Sequence, residues 1–209
     1  AVEKCLEAAK AVGANVKKAK FPLYVSRDAK ERVKELLGDT DEYIVIIPSA
    51  RWKSKIWLAE KFAALINKTP LPCVIAGTKG DREISKTIID SLNKGSAKTK
   101  AKNDDHVIDL CGKTGLKELI ALLAGAKAVV SNDSGPLHIA AALNKPAVAV
   151  FGPTDPKNVG PYGWQTNKKL AVIRAAVPCW PCRNKNCADP VCMKNISANK
   201  VLKALKEYL

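Results

Sequence analysis

From Tyr43 onward the chain alternates short apolar runs with helical patterns, and few folds accommodate that rhythm. The runs are Ile44-Val45-Ile46-Ile47, Pro72-Cys73-Val74-Ile75-Ala76, Val107-Ile108-Asp109-Leu110, Ala126-Lys127-Ala128-Val129-Val130 and Ala147-Val148-Ala149-Val150-Phe151, with Leu170 to Arg174 as a last candidate. Near-continuous apolar runs of this length suit strands covered on both faces. Between them, helical spacing covers about Lys55 to Asn67, Asp81 to Leu92, Leu116 to Leu123 and the stretch after Ser134. The alternation predicts an α/β protein, a Rossmann-like doubly wound parallel sheet, and right-handed crossovers leave few alternatives.

The flanks are less regular. Residues 2 to 12 are spaced as an amphipathic helix closed by Gly13, Phe21 to Val25 reads as extended, and a helix starting at Ser26 or Asp28 runs to Leu37 before Gly38. Opening on helices with no preceding strand reads like a continuation, so residues 1–42 are expected to be an interdomain helix and linker region and 43–209 the sheet domain. Gly95 to Asp105 is polar and Lys-rich and is expected to be a connecting loop. Phe151 to Trp164, with two Gly-Pro segments, is expected to hold no regular structure, and Ser197 caps a terminal helix.

Within this frame the stretch Ser131-Asn132-Asp133-Ser134-Gly135-Pro136-Leu137-His138 joins a strand to a helix. Asp133 or Ser134 can cap the helix, Gly135 lets a ligand approach the backbone, and Pro136 fits the first helical position. Such a junction lies at the carboxyl edge of an open sheet, where free N–H groups and the positive helix end suit a diphosphate. Two further loops leave strand ends: Pro48 to Trp57, in which Lys55 offers a cation, and Gly77-Thr78-Lys79-Gly80-Asp81-Arg82-Glu83. Neither a Walker A loop nor a G-x-G-x-x-G fingerprint is present, which removes the main support for ATPase and ordinary dinucleotide readings.

Together these residues resemble the C-terminal half of the lipopolysaccharide heptosyltransferases, glycosyltransferase family nine, of GT-B architecture. The resemblance rests on Pro48 to Trp57 (Pro-x-Ala-x-Trp-x-Ser-Lys-x-Trp), Asn132 to His138, Phe151-Gly152-Pro153-Thr154-Asp155-Pro156 and the segment Cys179 to Met193. Ser49 stands where the family usually has Gly, and Leu58 where it has Pro. The resemblance implies that residues 43–209 are a nucleotide-sugar-binding domain for a donor such as ADP-heptose. Ser49, Ala50, Lys55, Glu83, Asp133, Ser134, Gly135 and His138 would contact the donor. Lys55 would neutralise the leaving diphosphate, Asp133 would bond sugar hydroxyls and His138 would face phosphate from one turn along the helix, making these three the candidate catalytic residues. It further implies an inverting, metal-independent transfer to the lipopolysaccharide inner core. The acceptor site and general base would belong to an N-terminal domain absent here, so the chain alone is expected to bind donor without transferring it.

Charge and cysteine bound what else the chain can do. A formal charge of +15 favours anionic partners. It is dispersed lysine, without aromatic or zinc-finger signatures, so no nucleic acid partner is expected and a solvated surface is the simpler reading. The second function class kept open is a non-catalytic nucleotide-sugar or polyanion binding module. No secretion signal or long apolar run is visible, and the expected location is cytoplasmic, with contact at the inner face of the inner membrane left open. Cys179, Cys182, Cys187 and Cys192 are spaced permissively for a metal, a crosslink or free thiols; no metal is assigned. Cys5, Cys73 and Cys111 are expected in the core.

Overall fold

The computed structural model describes residues 2–16, 19–95 and 106–209. The connection expected over Gly95 to Asp105 lies outside the described residues except for Gly95, which ends a helix. Six strands, β1 (Ile44–Ile47), β2 (Cys73–Ile75), β3 (Val107–Asp109), β4 (Ala128–Asn132), β5 (Ala147–Phe151) and β6 (Leu170–Arg174), form one sheet in the order β3-β2-β1-β4-β5-β6. Every pairing is parallel. The α/β doubly wound expectation is met.

The helices are α1 (Val2–Ala11), α2 (Arg27–Leu37), α3 (Ala59–Ile66), α4 (Arg82–Gly95), α5 (Leu116–Gly125), α6 (Gly135–Ala142), α7 (Pro156–Val159), α8 (Val191–Lys194) and α9 (Ala198–Lys206). Because successive strand side chains point to opposite faces, the apolar runs split into two cores. Ile44, Ile46, Ile75, Val130 and Val148 pack with α3, α4 and α9, while Val45, Ile47, Val74, Val129 and Ala149 pack with α2, α5 and α6. Ala29, Val33 and Leu37 of α2 are buried in the second core, capped by the Ser26 hydroxyl accepting from the Ala29 amide. By contrast α1 buries no residue, and Cys5 is exposed, against expectation. Cys73 and Cys111 are buried as expected.

Three local expectations are corrected. The helix expected from Lys55 begins only at Ala59, after a 3-10 turn over Lys53–Lys55. Trp57 explains the delay: it is fully buried, its amide donates to Asn132 Oδ1 at 3.2 Å and its indole N–H to the Ile196 carbonyl at 3.0 Å. Burying that ring stabilises the fold by about 2–3 kcal/mol, enough to override helix propensity over a few residues. The strand expected over Ala126 to Val130 is shifted to Ala128–Asn132, with Ser131 and Asn132 fully buried inside it rather than in the turn. Finally, the segment expected to lack regular structure contains the one-turn helix α7, whose cap Asp155 accepts from the Lys157 amide at 2.9 Å.

Candidate functional site

The strand order reverses direction between β1 and β4, so the connections leaving their carboxyl ends turn to opposite faces of the sheet and leave a crevice. The loop after β1 and the loop after β4 are tied across it by Asn132. Its Nδ2 donates to the Pro48 carbonyl at 2.7 Å while its Oδ1 receives the Trp57 amide, and no sequence motif singled out that bridge. An unpaired buried amide is costly, so this bridge fixes the spacing of the two loops.

On that base Lys55 and Asp133 meet. Lys55 Nζ lies 2.6 Å from Asp133 Oδ2, with side chains 13% and 4% exposed. Asp133 is therefore not the helix cap the sequence allowed. Ser134 occupies the N-cap position of α6, extended in backbone but making no side-chain cap bond, and its hydroxyl instead lies 3.1 Å from that of Ser131. The backbone amides of Ser134 and Gly135 meet no carbonyl among the described residues. Gly135 is exposed, with open space where a side chain would begin. Those features make the start of α6 an anion-favouring end.

Thr154 was not singled out from the sequence, although its Gly-Pro-Thr-Asp-Pro run was noticed. It is 2% exposed and its hydroxyl donates to the same Asp133 Oδ2 at 2.6 Å. Its loop fits tightly: a side chain at Gly152 would fall 2.6 Å from Met193 Sδ and 3.1 Å from the Ser54 carbonyl. The cysteine segment clasps it from outside. The Trp180 indole donates to the Thr154 carbonyl at 3.2 Å and the Arg183 amide to that of Pro153 at 2.9 Å.

At the start of α6 opens a cleft of about 610 Å³, whose lining reaches Ser134 but includes neither Lys55 nor Asp133. Ser49, Ala50, Ser134 and Gly135, four of the residues expected to contact a donor, line it together with the apolar Leu116 and Leu119. Glu83 does not: it is exposed in the first turn of α4, outside the lining. Asp81 lines the cleft instead, accepting from the Thr78 amide and hydroxyl at 2.7 and 2.8 Å and so shaping the glycine loop. His138 faces a second hollow of about 850 Å³ with Trp164 and Tyr162 rather than the cleft. Although its ring reaches the surface, burial lowers its pKa below 6.5; the Asp133 charge opposes this and the Lys55 charge adds to it. Cys111, under the Gly77 turn, is raised to about 12 by burial, with Asp109 adding, and is not a nucleophile at neutral pH.

Cys179 and Cys182 are exposed, Cys187 is half-buried and Cys192 is buried, all as free thiols. Among the described residues no group of three His, Cys, Asp or Glu side chains is placed to hold a metal ion. Nor is any described helix long and apolar enough to cross a membrane.

A 3-2-1-4-5-6 parallel sheet with a polar pair and a free helix N-terminus at its switch point defines a Rossmann-like α/β domain, the half-architecture of GT-B enzymes. Residues 1–192 match glycosyltransferase family 9 (heptosyltransferase), and the chain belongs to that family. Lipooligosaccharide heptosyltransferase 2 of Campylobacter jejuni is 28% identical over 180 residues, covering 83% of this chain and 53% of that protein. The solved ADP-heptose lipopolysaccharide heptosyltransferase II of Escherichia coli superposes with a TM-score of 0.71 at 26% identity, covering 89% of this chain and 52% of that one. An Escherichia coli heptosyltransferase solved with ADP gives 0.66 at 28% identity, covering 100% and 56%. The chain spans about half the length of the relatives it matches.

Proposed function

We propose that this chain is the donor-binding half of an inverting heptosyltransferase, taking an ADP-heptose-like nucleotide-sugar for transfer to the lipopolysaccharide inner core. The observation that carries the reading is the Lys55–Asp133 pair at 2.6 Å beside the free amides of α6 and an apolar cleft. In this reading the base of the nucleotide occupies the cleft between the glycine loop and Leu116 and Leu119. The diphosphate lies over Ser134 and Gly135, whose amides donate to its oxygens, and the Lys55 ammonium balances the charge that grows on it as the glycosidic bond breaks. Asp133 accepts from a sugar hydroxyl and fixes the donor's orientation.

An acceptor hydroxyl attacks the anomeric carbon from the face opposite the departing ADP. The acceptor site and the carboxylate that takes the hydroxyl proton are assigned to the other half of such an enzyme. Stabilisation by Lys55 and the helix end asks for no metal. The lipopolysaccharide acceptor is amphiphilic, which places the reaction at the cytoplasmic face of the inner membrane.

Calorimetric titration with ADP tests the reading. One-to-one binding is expected, weakened roughly 30- to 100-fold by Lys55→Ala, the usual cost of removing one member of a buried charged contact. Asp133→Ala should weaken binding of the ADP-sugar more than that of ADP. Binding of equal strength to unrelated polyanions, insensitive to both substitutions, would overturn it.

A further inference from the structure

The Lys55–Asp133 pair poses a problem for the function just proposed: each charge already satisfies the other. If Lys55 is to serve a diphosphate, its ammonium must turn away from a carboxylate that is 4% exposed. Stripping a buried carboxylate of its donor is expensive unless another donor remains. We infer that Thr154 is the positioning residue that lets Lys55 leave, so that donor binding proceeds as an exchange of partners at Asp133.

The geometry supports this division of labour. Lys55 Nζ and Thr154 Oγ1 both lie 2.6 Å from Oδ2, while Oδ1 meets no protein donor among the described residues and is left for a ligand hydroxyl. Thr154 has no other side-chain partner, and its place is set by the loop rather than by its own rotation. The Trp180 indole and the Arg183 amide hold the carbonyls of Thr154 and Pro153, and the Arg174 guanidinium stacks 4.1 Å from the Trp180 ring.

Lys55 is held differently. Its ammonium also sits 4.4 Å from the Trp52 ring centroid, a second favourable contact on the same side chain. Lys185 approaches that ring to 5.0 Å, and its like charge disfavours a full retreat of Lys55 onto the indole. Lys55 is thus the movable partner of Asp133 and Thr154 the stationary one. When the diphosphate arrives, Lys55 passes to phosphate and the threonine hydroxyl keeps Oδ2 satisfied.

The inference rests on the donor-site reading, and adenosine separates the two. Adenosine has no phosphate and leaves Lys55 on Asp133. Binding of ADP by calorimetry and of adenosine by NMR titration would be compared in the wild type, Thr154→Val, Thr154→Ser, Lys55→Met and Lys55→Met/Thr154→Val. Thr154→Val should weaken ADP about tenfold, the scale of a lost hydrogen bond to a charged group, and leave adenosine unchanged. Thr154→Ser should restore ADP affinity. In the Lys55→Met background Thr154→Val should have no further effect on ADP, because there is no exchange left to support. Thr154→Ala, which adds no branch volume, replaces the valine variant should that fail to fold.

Equal losses for ADP and adenosine would overturn the inference, since they mark a purely structural threonine. So would a Thr154→Val effect that persists without Lys55. Loss of ADP affinity in Lys55→Met with none in Thr154→Val would sink the exchange and leave the donor site standing. No ADP binding by the folded wild type would sink both.

Discussion

At the carboxyl edge of the sheet the Lys55 ammonium and the Asp133 carboxylate lie 2.6 Å apart with side chains 13% and 4% exposed. At the amino edge Lys127 and Glu42 lie 3.2 Å apart and are 42% and 64% exposed. The two edges belong to the same strands, yet they treat charge in opposite ways. The carboxyl-edge pair is withdrawn from water and requires partners, which Thr154 and its two members supply. The amino-edge pair remains in water, and lysines gather near it: partial burial lowers the Lys145 pKa from its ordinary 10.5, and the charges of Lys169 and Lys127 lower it further. Water tolerates that crowding because it screens like charges. A buried pair gives little net stability for its desolvation cost, so its retention is best explained by what the site does.

The sharpest way to break this comparison is Asp133→Ala. It strands the Lys55 ammonium and removes the acceptor of Thr154, and should cost about 3 kcal/mol in chemical denaturation, the lower end of the range for breaking a buried pair because Lys55 keeps its Trp52 contact. A cost near zero would mean the two edges do not differ. Next comes Asn132→Leu, which leaves the Pro48 carbonyl and the Trp57 amide without their partner and should cost about 2 kcal/mol by the same measurement.

Smaller effects follow from the two bases whose pKa the fold lowers. Each is favoured neutral when folded, so each destabilises the protein where it is protonated. Removing Lys145 as Lys145→Met should raise the melting temperature slightly at neutral pH, the gain fading as pH rises past the lowered folded value and gone above 10.5. Removing His138 as His138→Gln should change nothing at pH 8 and stabilise slightly as pH falls through 6.5. A gain that instead grows with pH in either variant would contradict the lowered values. Glu42→Ala should be the mildest, under about 0.5 kcal/mol at any salt concentration, as exposed pairs are.

What the sequence determined alone was whatever depends on neighbours along the chain. Runs such as Ile44 to Ile47 and Ala147 to Phe151 can only be doubly covered strands, and Gly135-Pro136 after a polar turn can only begin a helix, because steric and solvation limits act within a few residues. The alternation of those units then restricts the sheet to parallel windings. Motif order was legible as well, and with it the family.

The tertiary structure decided which residue meets which. Lys55 read as a cation at a helix start, and only burial of Trp57 against Ile196 delays that helix and aims the lysine across the switch point. Asp133 read as either a cap or a ligand of sugar hydroxyls, because a capping aspartate and a pairing aspartate look alike in sequence. Thr154 is separated from Asp133 by 21 positions, and no local pattern encodes a bond of that span. Glu83 lies outside the cleft, which Asp81 lines while accepting from the Thr78 amide. Local propensity is summed over adjacent residues, whereas a site is made where separate loops converge, and that convergence is set by the packing of whole elements.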